Sequence, residues 1–139
     1  MEGKIIMSKS AIYTVNTNIP TLTAGSIIPI NSTNRRYGCN LRQDGNTITM
    51  LGQGYYLVNV SATVTPTAAG TVSVTAQKDG VAIIGATASE TVTTTTSTVN
   101  LNITAITRNT CGCDSSLLSF VLDGVGAVIN NFAVTVEKL

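Results

Sequence analysis

The side chains able to do chemistry are few. The 139-residue chain has no histidine, so Ser-His-Asp and Cys-His nucleophiles and histidine metal sites are excluded. The carboxylates of Asp44, Asp79, Asp114, Asp123 and Glu90 lie mostly at turn-like positions and far apart in sequence. Two of them converging in space would suit glycoside hydrolysis. The simpler reading is turn-forming aspartate with a solvated carboxylate. No Asp-x-Asp-x-Asp-Gly calcium loop is present. Gly52-Gln53-Gly54 precedes a strand pattern, not a helix, so it is not a phosphate loop. Cys39, Cys111 and Cys113 make an odd number, which favours reduced thiols. Cys111 and Cys113 are too close for an easy mutual bridge. Arranged around a threefold axis they would suit a soft metal, but Cys-x-Cys without a second pair is a weak zinc signal. A bridge from Cys39 to either stays open. No catalytic residue, cofactor or metal is assigned.

Arg35, Arg36 and Arg42 form the one basic cluster, with Tyr37 beside it. The balance of 8 basic and 7 acidic residues falls short of what a phosphate-tracking groove needs, so nucleic acid is not the expected partner. Nor is a membrane, because no long apolar run is present. Residues 1–7 hold only Ile5-Ile6 as an apolar centre, too little for a signal peptide. The sequons at Asn31, Asn59 and Asn102 read as chance in a Thr-rich chain. Charged residues make up 11%, under half of the usual ~25%. Thr, Ser and Asn replace them, and the net charge is +1. Such a surface is either simply Thr-rich or covered by copies of itself.

The elements that must position these residues are strands. From Gly54 to Pro66 the residues alternate strictly, with Tyr56, Val58, Val60, Ala62 and Val64 on one side. Tyr55, Leu57, Asn59, Ser61, Thr63 and Thr65 take the other, as a period of two demands. Further strands are expected over Ala11–Thr17, Thr23–Ile30, Tyr37–Leu41, Asn46–Leu51, Thr71–Lys78 and Val81–Ala88. Others follow around Val99–Ile103, Leu117–Leu122 and Asn131–Val136. Pro20 interrupts the first, and Asn31–Asn34 reads as a turn. Thr91–Thr96 reads as an exposed strand or loop, and Arg108–Ser116 as a loop. Lys78-Asp79-Gly80 is the strongest hairpin signal. About nine or ten strands with regular turn signals predict an all-β antiparallel sandwich or jelly roll. No helical spacing, linker or internal repeat appears. The expected layout is an N-terminal arm over 1–10 and one domain over 11–139.

The order of these signals resembles the trimeric jelly rolls of the tumour-necrosis-factor and complement-globular-head superfamily, and most of all its bacterial and phage branch, which includes exosporium tips. The residues that carry the likeness are Gly54, Tyr56 and Val58 opening the middle strand, and the short segment Asn46–Gly52 before it. The Lys78-Asp79-Gly80-Val81 hairpin and the closing Phe132–Leu139 strand complete it. The Gly-x-y stem is absent and aromatics are sparse at 4%. A stemless domain is similar to a phage virion component.

The resemblance implies a homotrimer. Physically, a strand apolar on both faces needs cover on both. Tyr55, Leu57 and Asn59, with Leu117 and Val121, are therefore the expected trimer interface. Met1, Lys4, Ile5, Ile6 and Met7 are the expected capsid attachment arm. The expected role is a non-enzymatic head fibre or capsid decoration protein on the virion surface, partnered by a capsid or other virion protein. The alternative is a tail tip that binds host glycan, with Tyr37, Arg35 and Arg36 as candidate contacts.

Overall fold

Alternation in the middle of the chain becomes a strand with one dry side. In a computed structural model, which describes residues 9–95, 97–110 and 115–139, Gly54–Pro66 buries Tyr56, Val58, Val60, Ala62 and Val64. The described residues form ten strands: β1 (Ser10–Leu22), β2 (Ser32–Tyr37), β3 (Leu41–Asp44), β4 (Thr47–Leu51) and β5 (Gly54–Pro66). They continue as β6 (Gly70–Lys78), β7 (Val81–Val92), β8 (Val99–Asn109), β9 (Ser115–Gly124) and β10 (Ala127–Lys138).

Two five-stranded sheets result, ordered β2-β1-β10-β5-β8 and β3-β4-β9-β6-β7, and all ladders are antiparallel. The chain crosses between sheets after β2, β4, β5, β7, β8 and β9. This is a jelly roll, whose neighbours along the chain often sit in opposite layers. The core is the slab between the layers, where period-two side chains from both interdigitate. Its largest buried members are Tyr56, Phe120 and Phe132. The two phenylalanine rings, one from each sheet, meet edge to face at 5.5 Å and 70°.

Turn chemistry sets the register. Asp79 and Gly80 both have positive φ, 53° and 81°, the type I′ pattern that matches the twist of a hairpin. Gly124 closes β9 at φ +83°, and a Cβ there would sit 2.0 Å from the carbonyl oxygen of Thr71. Only glycine fits.

Several strand expectations need correction. Thr23–Ile30 is not a strand: it makes one isolated bridge, Ile27 to Val121, and runs beside β9 through Gly25 N to Leu122 O and Ile28 N to Phe120 O. Asn31–Asn34 is not a turn, since β2 begins at Ser32, after Asn31 at φ 62°. Gly38, Cys39 and Asn40 bend between β2 and β3. Pro20 does not end β1, because β2 pairs with β1 only from Ala11 to Val15. Beyond that point β1 has a free edge, where a missing N–H costs nothing. Ser10 already lies in the sheet, with its buried hydroxyl donating to Asn40 Oδ1 at 3.1 Å. The expected arm residues Met1, Lys4, Ile5, Ile6 and Met7 lie outside the described residues, as do Cys111 and Cys113. Cys39 is free and exposed.

Candidate functional site

The outward face of the first sheet follows directly from its ladders. Partner positions line up as rows: Ala11–Glu137–Leu57–Ile106, then Tyr13–Thr135–Asn59–Thr104. The next rows are Val15–Ala133–Ser61–Asn102 and Thr17–Asn131–Thr63–Asn100. Every second residue of a strand faces the same way, so these rows form one surface. Tyr55 tops it, half exposed, with the Arg108 guanidinium 5.4 Å from its ring centre. That is cation–π distance. The two charges in these strands' rows, Glu137 and Arg108, sit at this upper end. The lower rows carry none across these four strands, and Arg35 of β2 borders them beside Tyr13.

The uncharged part is held by its own hydrogen bonds. Thr104 donates to Asn59 Oδ1 at 2.8 Å, and Thr63 to Asn100 Oδ1 at 2.9 Å. A shallow depression of about 510 Å³ lies over Tyr13, Asn59, Asn102 and Thr135. Amides and hydroxyls without acids or bases cannot move protons at neutral pH. They can meet another protein surface and exchange hydrogen bonds with it.

Tyr55, Leu57 and Asn59 lie on this face. Leu117 and Val121 do not. They belong to β9 in the second sheet, on its outward side, and the core separates them from Tyr55. One flat contact cannot take both groups. Val121 is half-buried beside Ile27, and the Leu117 N–H donates to Asp79 Oδ1 at 2.8 Å. The outward side of the second sheet is instead a threonine surface, with hydroxyl pairs Thr71–Thr91 at 2.9 Å and Thr75–Thr87 at 3.0 Å. Sequence reasoning missed Tyr13, Asn102, Thr104, Ala133 and Thr135. Their alternation was visible, but which strands adjoin was not. It also missed an apolar edge where β7 meets β8, with Ile84 wholly exposed and Val81 and Ile106 largely so. These line a groove of about 310 Å³.

The candidate glycan contacts Tyr37, Arg35 and Arg36 do line one small depression of about 100 Å³, beside Ala11, Tyr13 and Thr135. Tyr37 and Arg35 pair with Ala11 and Tyr13 and share their outward side. Arg36 takes the opposite side, and its Nε donates to the Leu41 carbonyl at 2.6 Å. Among the carboxylates, Asp44 accepts from Thr49 Oγ1 and from Arg42 Nε. These bonds, the Thr49 one first, hold its pKa below the usual carboxylate value. No group of three metal-binding side chains occurs among the described residues. No helix among them is long and apolar enough to cross a membrane.

A buried polar knot anchors the Tyr55 end. The Tyr56 hydroxyl lies 2.7 Å from Leu51 O and 2.8 Å from Gly52 O, so its one hydrogen is shared. Burial pushes its pKa up. Asn109, itself buried, donates to Met50 O at 3.1 Å and Gly52 O at 3.3 Å, and accepts from Ser116 Oγ at 2.8 Å. It thus ties β8 to β9 and to the β4–β5 turn. Asn109→Ala strands these groups, each unpaired one costing about 1–3 kcal/mol. A loss of roughly 2–3 kcal/mol is expected in urea unfolding; a loss under about 0.5 kcal/mol would show that water replaces the amide.

No family model matches the sequence, and no curated protein is similar to it. Solved structures are similar. Murine APRIL matches with TM-score 0.69 at 12% identity, over 94% of this chain and 99% of that one. The globular domain of zebrafish complement 1qA gives 0.67 at 10%, over 93% and 95%. The PRD1 vertex protein P5 gives 0.63 at 17%, over 94% and 96%. At such identities the likeness speaks for fold alone: the chain shares the two-sheet jelly roll of these structures.

Proposed function

We propose that the chain is a non-enzymatic structural protein of a phage particle, a homotrimer displayed on the virion as a capsid decoration or head-fibre protein. The observation that carries the reading is the outward face of the first sheet: broad, half-buried, and uncharged across β1, β10, β5 and β8 below its Tyr55 end, with Arg35 of β2 at its margin. A surface so poor in charge suits contact with protein better than contact with water. A threefold ring is heterologous, so each chain needs two different surfaces that fit each other. The uncharged face is one. The apolar edge of Val81 and Ile84, which meets the first face at Ile106, is the other. The virion setting is supported by likeness to a phage vertex protein over nearly the whole of both chains, and it is an analogy of fold.

Light scattering on the purified chain tests the assembly, with three chains per particle expected and a monomer at micromolar concentration refuting it. The attachment arm is tested by deleting residues 1–8, which spares Ser10 and its place in β1. The truncated protein is expected to keep its mass and lose its binding to particles. Undiminished binding would reject an attachment role for Met1, Lys4, Ile5, Ile6 and Met7.

A further inference from the structure

The end strands of the two sheets, β2 and β3, leave a polar cleft of about 900 Å³ between them. Two guanidinium groups line it, Arg36 from β2 and Arg42 from β3. Each is fixed through Nε, Arg36 to the Leu41 carbonyl at 2.6 Å and Arg42 to the Asp44 carboxylate at 2.9 Å. Among the described residues no other hydrogen bond engages either group. Their outer N–H edges remain for a ligand.

The cleft wall is set in advance. The Gln43 amide donates to Asn31 O at 2.7 Å and to Gly45 O at 3.0 Å, and accepts from the Thr33 hydroxyl at 2.8 Å. Asn16 donates to Pro29 O at 3.0 Å. Side chains already held lose little entropy when a ligand arrives, and the volume is that of a small-molecule site.

We propose that this cleft binds a carboxylate-bearing sugar, with the acid on Arg36 and Arg42 and the hydroxyls on the neighbouring amides and hydroxyls. The arginine fork matches a carboxylate in shape and charge. Amides and hydroxyls both donate and accept, as sugar hydroxyls require. No aromatic ring lines the cleft, so a neutral sugar has no stacking platform. Asp44 behind Arg42 keeps the local charge small, which disfavours polyphosphates. The site is complete within one chain and does not depend on the assembly.

The test titrates the full chain with trigalacturonate and sialyllactose, and with lactose as the neutral control, by calorimetry. Saturable binding of at least one acidic sugar is expected, with none for lactose and weakening as salt rises. Arg36→Ala and Arg42→Ala are each expected to weaken binding at least about tenfold. Arg36→Lys, which keeps charge but loses the fork, weakens it as well. Thermal melts check that the variants fold. Should the Arg36 variants not fold, Arg42→Gln carries the test alone, because that side chain is half exposed. Failure of both acidic sugars to bind overturns the proposal, as does undiminished binding by a folded variant. Tighter binding of a poly-glutamate peptide than of either sugar overturns the ligand class.

Discussion

Asn59→Arg is expected to convert a three-chain particle into a monomer of 14.4 kDa that still folds. Asn59 stands mid-face, between Thr135 on β10 and Thr104 on β8. In a lone chain its side chain borders solvent, so an arginine can extend into water along its aliphatic stem. Only the bond from Thr104 is lost, about 1 kcal/mol. Against two sister chains the same arginine is buried without a partner, three times over. The cost of an uncompensated buried charge is several kcal/mol, which shifts dissociation by roughly a thousandfold or more. Ile84→Arg attacks the other half of the contact and should act alike, because a wholly exposed residue contributes little to the fold of the single chain.

Leu117→Arg is the control. It lies on the outward side of the other sheet, so its expected effect on mass is none. Light scattering over a dilution series measures all three. An Asn59→Arg protein that stays trimeric moves the contact off this face. Dissociation by Leu117→Arg and not by Asn59→Arg would place it on the second sheet.

The Leu117 case marks what a sequence can tell. Tyr55-Tyr56-Leu57-Val58 and Leu117-Leu118 look alike locally, apolar on both faces. Which face is a protein–protein surface depends on the layer each strand joins, and the crossovers that decide it are long-range. Alternation in β5 was legible because burial imposes it at every second position. β2 was not legible. Every residue of Ser32–Tyr37 is exposed, so nothing in it is under hydrophobic selection, and Asn31–Asn34 reads as a turn. Charge on an end strand has a physical use, since it discourages edge-to-edge pairing. The reverse error arose at Ile27, Ile28 and Ile30. Ile28 and Ile30 are core, but Gly25 and Pro29 break the ladder, so the segment packs like a strand without pairing like one. Arg36 and Arg42 were legible as part of a basic cluster, but the cleft between them was not, because it forms only once the ends of two different sheets are brought together.

The second large effect is expected from Phe120→Ala. Phe120 and Phe132 are fully buried and join the two sheets ring to ring. Only 4% of the chain is aromatic and it has no tryptophan. Many of the other buried apolar residues are valine, isoleucine and alanine, stiff or small side chains that cannot swing into a vacated space. The cavity therefore persists, and the cost should fall at about 3–5 kcal/mol, the range for a buried phenylalanine cut to alanine. That is a large part of the roughly 5–15 kcal/mol that stabilises an ordinary domain. Loss of the edge-to-face contact is included in it, about 0.5–1.5 kcal/mol. Phe120→Leu keeps much of the volume and should cost about half as much or less. Assembly complicates the measurement, because anything that binds only the folded chain adds apparent stability that varies with concentration. Urea unfolding is therefore best done in the Asn59→Arg background, where the chain is expected to be single and the transition two-state. An alanine variant within about 1 kcal/mol of its parent there would mean that the layers close over the gap, and that the core is held by its strand ladders more than by its two rings.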